Sequence, residues 1–208
     1  MTWSVVLCLE YLSCALLGMA AAFRGGRHGL PVMGAVILGM ACALISPAIR
    51  FQMISVPILL RPNAFDTSGH VAASFAGACA GLLLQRRVPE TIPLFPALEA
   101  ASLALATVTG TLAALAFGEA TPIGSILVGC TAGTVGGVLR DLCLTERPAL
   151  LEADFYGGAV AVGAMAVAGL HTLHMGFWPQ FAVGSLCVFG LRLFGSWRMK
   201  RRGVFSEF

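Results

Sequence analysis

The chain has 208 residues, 58% of them hydrophobic and 11% charged, with a formal net charge of +3. Its mean hydropathy is +0.87, whereas a water-soluble domain carries about a quarter charged residues. Composition therefore excludes an ordinary soluble domain, and so small a positive excess gives no footing for nucleic-acid binding.

Apolar spans follow one another at about 4–23, 31–49, 66–85, 94–117, 122–143, 154–174 and 176–196. Each approaches the ~20 residues that cross a ~30 Å hydrocarbon core. The first has no basic segment before it and runs into Arg24-Gly25-Gly26-Arg27. It reads as a retained helix rather than a signal peptide. Glu10 falls in its opening turns, as Glu99 does in the fourth span, and both are expected as helix-start acids favoured by the macrodipole. The second span closes on Ser46-Pro47-Ala48-Ile49-Arg50. The third and sixth open on Asp66 and Asp154, read as N-caps or first-turn acids. In the fifth span Gly129, Gly133 and Gly137 recur every four residues, a stripe suited to close helix packing, and Gly136-Gly137 abuts Arg140-Asp141. His171 and His174 near the end of the sixth have no third ligand in view, so interface polarity is the better reading than a metal. The cysteines sit in or beside apolar spans without C-x-x-C spacing and read as small packing residues.

The spans are written twice. Residues 34–51 align without a gap on 124–141 at an offset of 90, and Asp66, Gly69 and Ala73 recur as Asp154, Gly157 and Ala161 at an offset of 88. Three spans is an odd number, so the copies run in opposite senses across the membrane and the last span stands outside the duplication. The expected fold is all-α: two inverted three-helix repeats, 4–85 and 94–174, then a seventh helix at 176–196 and a basic tail at 197–208. Under this plan Arg24, Arg27, Arg86, Arg87, Arg147, Arg198, Lys200, Arg201 and Arg202 share one side, and Arg61, Asp66 and Glu119 the other. The positive-inside rule then places the N-terminus outside and the tail in the cytoplasm. Arg198, Lys200, Arg201 and Arg202 are candidates for contact with anionic lipid.

Both copies weaken the second helix just before an arginine, one by Pro47 beside Ser46, the other by Gly136-Gly137. A kink or short unwound stretch there frees carbonyl oxygens, which at membrane depth must face protein or a wet cavity. Arg50 and Arg140 follow each weak point, and Asp141, Glu10, Glu99 and the freed carbonyls are their candidate acceptors. An arginine at a constriction repels cations, which suits gating or structure better than ion coordination. Neutral oxygens from Ser46, Thr131, Thr134 and the backbone at Gly133 to Gly137 suit weakly held monovalent cations, although such hydroxyls often bond back to their own helix. No nucleophile–base pair, phosphate loop or carboxylate cluster points to an enzyme.

The run Gly136-Gly137-Val138-Leu139-Arg140-Asp141 followed by Pro148, set in a duplicated three-helix unit with a further helix and basic tail, resembles bacterial members of the trimeric intracellular cation (TRIC) channel family. It is similar also to the related glycine-transporter repeat proteins. The resemblance covers nearly the whole chain. It implies a homotrimer with one ion path inside each subunit, lined by the second and fifth helices and conducting monovalent cations, chiefly potassium; sodium is expected as a lesser permeant ion, lipid as a bound neighbour, and no cofactor. The first copy departs from the motif: Arg50 is followed by Phe51 rather than an acid. A carrier for a small zwitterion such as glycine is the alternative, with Arg140 binding the carboxylate.

Overall fold

The computed structural model describes residues 2–54, 67–88, 94–116, 121–152 and 155–201. Among them every regular element is an α-helix: α1 (Thr2–Arg27), α2 (Val32–Met53), α3 (Thr67–Arg87), α4 (Leu94–Ala116), α5 (Pro122–Cys143), α6 (Ala149–Glu152), α7 (Tyr156–Thr172) and α8 (Phe177–Arg201). Five of these, α1, α2, α4, α5 and α8, are long and apolar enough to cross a membrane, and α7 is apolar but shorter at 17 residues. Asp66, Asp154, Arg61, Glu119 and Arg202 lie outside the described residues.

Local chemistry sets the helix ends. Thr121 caps α5 by accepting a hydrogen bond from Gly124 N at 3.1 Å, and Pro122 fills the first helical position, where a missing N–H costs nothing. Gly29, at φ +80, turns the chain out of α1 while Leu30 N donates back to Gly25 O at 3.1 Å. Thr145 at φ 59 does the same after α5, with Glu146 N donating to Asp141 O at 2.8 Å.

In lipid there is little hydrophobic drive between helices, so packing depends on how closely backbones approach. α1 lies at the centre against α2, α3 and α4; α4 carries α5, α7 and α8; and α2 crosses α5. Along α1 and α3 the contact is backbone on backbone. A Cβ on Gly18 would stand 2.8 Å from Ser74 O, and one on Gly77 would run into the backbone of Ala15. Larger side chains fill the space where three helices meet: Leu103, Tyr156, Val160 and Val188 form one buried cluster of α4, α7 and α8.

The end of α1 is tied to the turn after α5. Arg24 Nη2 and Nε donate to Glu146 Oε1 and Oε2 at 2.8 and 3.2 Å, and His28 Nε2 meets Glu146 Oε1 as well. Burial opposes charge on Glu146, but the hydrogen bonds and charge of Arg24, and then of His28, outweigh it and hold the carboxyl below the usual carboxylate range. A group lowered on folding contributes stability that is fully present above its unfolded pKa, about 4.3, and is lost as pH falls through the folded value.

Two expectations follow. The gap in thermal unfolding temperature between the wild type and Glu146→Gln, measured in detergent, is open at about pH 5.5 and closes as the pH falls below about 4.3. Gly77→Ala lowers that temperature, by overpacking of about 1–3 kcal/mol, whereas Gly169→Ala, with nothing within 4 Å of the added atom, leaves it unchanged within error.

Candidate functional site

Two clusters of buried charge sit at the C-terminal ends of α2 and α5. In the first, Arg50 of α2 places Nη2 2.8 Å from Glu10 Oε2 of α1. His70 of α3 brings Nε2 to 3.5 Å from the same oxygen. The Tyr11 ring stands edge-on to His70 at 4.9 Å, and the Arg50 guanidinium lies 4.9 Å above the Phe51 ring. Glu10, Arg50 and His70 are 6%, 3% and 0% exposed.

The second cluster is larger. Arg140 of α5 donates through Nη2 to Glu99 Oε1 of α4 at 2.7 Å, and through Nε and Nη2 to Asp141 Oδ1 at 2.8 and 2.6 Å. Arg192 of α8 takes the other oxygen of Glu99, Nη2 to Oε2, at 2.5 Å. Asp141 turns its second oxygen outward to accept from Ala149 N at 2.8 Å, which anchors α6. Rings flank the guanidiniums: Arg140 lies 5.0 Å from the Phe95 centroid, Arg24 lies 4.9 Å from the same ring, and Arg192 lies 4.8 Å from that of Tyr156. With the acids ionised, both clusters are charge-balanced, as burial in a low dielectric requires.

These contacts bear out Glu10 and Glu99 as acceptors for the arginines and correct their reading as helix-start acids. Neither lies in the first turn of its helix, where no acid occurs. Each is the buried partner of an arginine, and the reason is the desolvation penalty: an unpaired guanidinium in a helix bundle costs far more than a macrodipole contact returns. The offset of 89 between the acids, beside 90 between the arginines, was the signal that pairs them. His70, Tyr156 and Arg192 were not singled out from the sequence; a charge inside the last apolar span was the visible trace of Arg192.

Between the clusters α2 and α5 cross at equivalent positions. Ser46 Oγ donates to Ala132 O at 2.5 Å, while on the other copy a Cβ at Gly136 would stand 2.6 Å from Cys42 O. Both helices are continuous through their weak points, so the expected unwound stretch is absent among the described residues. Pro47 still withholds one donor. The carbonyl four residues earlier, Ala43 O, receives the Cys14 thiol instead at 3.7 Å. α1 packs on α2 at this point, with Cys14, Leu17 and Ala43 in one buried cluster. Beside Pro47 a cavity of about 10 Å³ is lined by Glu10, Ser13, Cys14, Ser46, Arg50 and Thr109 among others, room for about one water.

The remaining sequence candidates divide. Gly133 packs against Thr107, and a Cβ on Gly137 would come 2.5 Å from the Tyr156 hydroxyl. Thr131 Oγ1 bonds back to Leu127 O and Val128 O at 3.0 Å and meets Met53 Sδ at 3.0 Å. Thr134 Oγ1 bonds back to Cys130 O at 2.9 Å. Both hydroxyls are thus engaged with their own helix. Arg198 is exposed at the end of α8, over the Phe155 ring at 6.0 Å, and the side chains of Lys200 and Arg201 lie outside the described residues. No group of three metal-ligating side chains occurs among the described residues.

The comparisons agree with a membrane fold. A family model described as "Glycine transporter" matches residues 96–172. A UPF0126 membrane protein of Deinococcus radiodurans is 30% identical over 200 residues, spanning 94% of this chain and 88% of the relative. The UPF0126 membrane protein YvgT of Bacillus subtilis is 26% identical over 97% of each chain. Among solved structures, a TRIC trimeric intracellular cation channel orthologue from Rhodobacter sphaeroides superposes with TM-score 0.81 at 25% identity, covering 94% of this chain and 99% of that one. A prokaryotic TRIC channel crystallised in 0.5 M KCl gives 0.81 at 19%, over 96% and 98%. These matches are channel- and transporter-like membrane proteins rather than enzymes. The molecule is a multi-pass integral membrane protein with the TRIC-channel fold, and the chain belongs to the UPF0126 membrane protein family.

Proposed function

We propose that the protein is a passive channel for monovalent cations, chiefly potassium, with one path inside each subunit lined by α2 and α5. The observation that carries this reading is the pair of buried Glu–Arg bridges, one at the far end of each of two helices that cross at Ser46 and Gly136. Intramembrane ion pairs are expensive to maintain and mark solute pathways more often than bare scaffolds. In this reading α1–α3 and α4, α5 and α7 are the two inverted units and α8 stands apart. The N-terminus faces outward and the basic end of α8 faces the cytoplasm of a bacterial inner membrane, where Arg198, Lys200, Arg201 and Arg202 meet anionic lipid. The Arg50–Glu10 pair then guards the outer end and the Arg140–Glu99–Asp141 group the inner end. Ser46, Gly133, Gly136, Gly137 and the carbonyl freed by Pro47 border the waist. Thr131 and Thr134 enter the path only by exchanging their own-helix bonds for an ion. The likeness to proteins described as trimeric intracellular cation channels supports the cation class and a homotrimer.

A glycine carrier is the second reading, favoured by the description of the family model that matches residues 96–172. Two observations weigh against it. Arg140 already commits Nε and Nη2 to two carboxylates, which leaves a substrate carboxylate to compete with Glu99 and Asp141. The cavity beside Pro47, about 10 Å³, holds a water rather than an amino acid.

Purified protein in planar bilayers under a potassium gradient tests the proposal. Unitary currents reversing near the potassium equilibrium potential are expected; silent bilayers with saturable glycine uptake into proteoliposomes overturn it. The ion pairs give a second expectation. Glu10→Ala leaves Arg50 buried without its acid and destabilises the protein by about 3–5 kcal/mol, read as a fall in unfolding temperature in detergent.

A further inference from the structure

The two clusters differ in what completes them. At the outer one the glutamate meets an arginine and a histidine, both from the first unit. At the inner one Glu99 meets two arginines, and the second, Arg192, comes from α8, which has no counterpart in the duplication. Arg192 is 7% exposed, stacks on Tyr156, and spends Nη1 on Ser196 Oγ at 3.1 Å, four residues further along its own helix. A tie between helices would need only a neutral hydrogen bond. A guanidinium here adds a full positive charge to a group already holding Arg140, Glu99 and Asp141.

We infer that Arg192 sets the ion selectivity of the inner end by bringing the charge of the Arg140–Glu99–Asp141 group from minus one to zero. This rests on the channel reading and adds to it a specificity-determining residue outside the duplicated helices. With Arg192 in place both oxygens of Glu99 are occupied, one by each arginine, and neither is open to a passing cation. Without it Oε2 of Glu99 is uncovered and the inner end is net negative. A single-sign, low-dielectric constriction concentrates ions of the opposite sign, by about tenfold or more. Removing Glu99 instead leaves two arginines against Asp141, net positive, and turns the preference towards anions.

The test is the reversal potential in planar bilayers under a potassium chloride gradient, for the wild type, Arg192→Gln, Arg192→Lys and Glu99→Gln. The permeability ratio of potassium to chloride is expected to rise about tenfold in Arg192→Gln, to stay near the wild-type value in Arg192→Lys, and to fall in Glu99→Gln. A purely structural role for Arg192 changes the number of active channels and leaves that ratio alone. An unchanged ratio in Arg192→Gln, with wild-type channels conducting, overturns the inference and spares the channel reading. If Arg192→Gln does not fold, an unchanged ratio in Glu99→Gln overturns it in the same way. Silence of every variant together with the wild type overturns both.

Discussion

A guanidinium cannot be left alone inside a helix bundle, and that constraint organises this molecule. Arg50 and Arg140 are each 3% exposed, and each is held by a glutamate on the first helix of its own unit. The acid must therefore sit at a fixed height on α1 or α4. The arginine must follow the crossing of α2 and α5 by a set number of residues, and the helices must lie close enough for a bond of 2.7–2.8 Å. Small residues supply that closeness. Where Gly18, Gly77 and Gly136 stand, even a methyl group meets backbone, so the glycines act by permitting contact rather than by loosening the helix.

The duplication supplies two copies of one pairing, and the divergence between them supplies asymmetry. Phe51 follows Arg50 and offers a ring; Asp141 follows Arg140 and offers a carboxylate that also anchors α6 through Ala149 N. His70 completes one cluster and Arg192 the other. Phe95 connects the second cluster to the surface, lying between Arg140 and the Arg24 that grips Glu146. The Glu146 carboxylate and the buried group are thus joined through one ring and two guanidiniums.

Much of this was legible in the sequence because it rests on period and composition. Apolar runs gave the long helices, and the internal offset gave the equivalence of Arg50 and Arg140; Pro47 and Gly136-Gly137 drew notice as sites of a kink or unwound stretch, where the structure instead has two continuous helices in contact. What escaped was decided by distance in space. Glu10 and Glu99 carried two readings in the sequence, helix-start acid and arginine acceptor, because the macrodipole is a local effect and a partner 40 residues away is not; the packing of α1 and α4 decides for the second. Arg192 lies in an apolar span close to a basic tail, where one more arginine attracts little notice, and only the packing of α8 on α4 brings it to Glu99. The expected unwinding at Pro47 is absent from the continuous α2, and the Cys14 thiol donates to the orphaned carbonyl, a contact that no local rule contains. Glu146 and Arg24 are similarly joined across 122 residues.

The crossing of α2 and α5 has a mechanical consequence. A strictly symmetric pair would carry two side-chain bonds across the contact, and two would lock the helices like a pair of rivets. Here one position bears the Ser46 hydroxyl and its equivalent bears Gly136, so the bond to Ala132 O has no symmetry mate, and the end of α2 is joined to α5 by Thr131 Oγ1 on Met53 Sδ at 3.0 Å. The contact is therefore fastened unequally, by Ser46 and Met53 of α2 on Ala132 and Thr131 of α5, with bare backbone at Gly136.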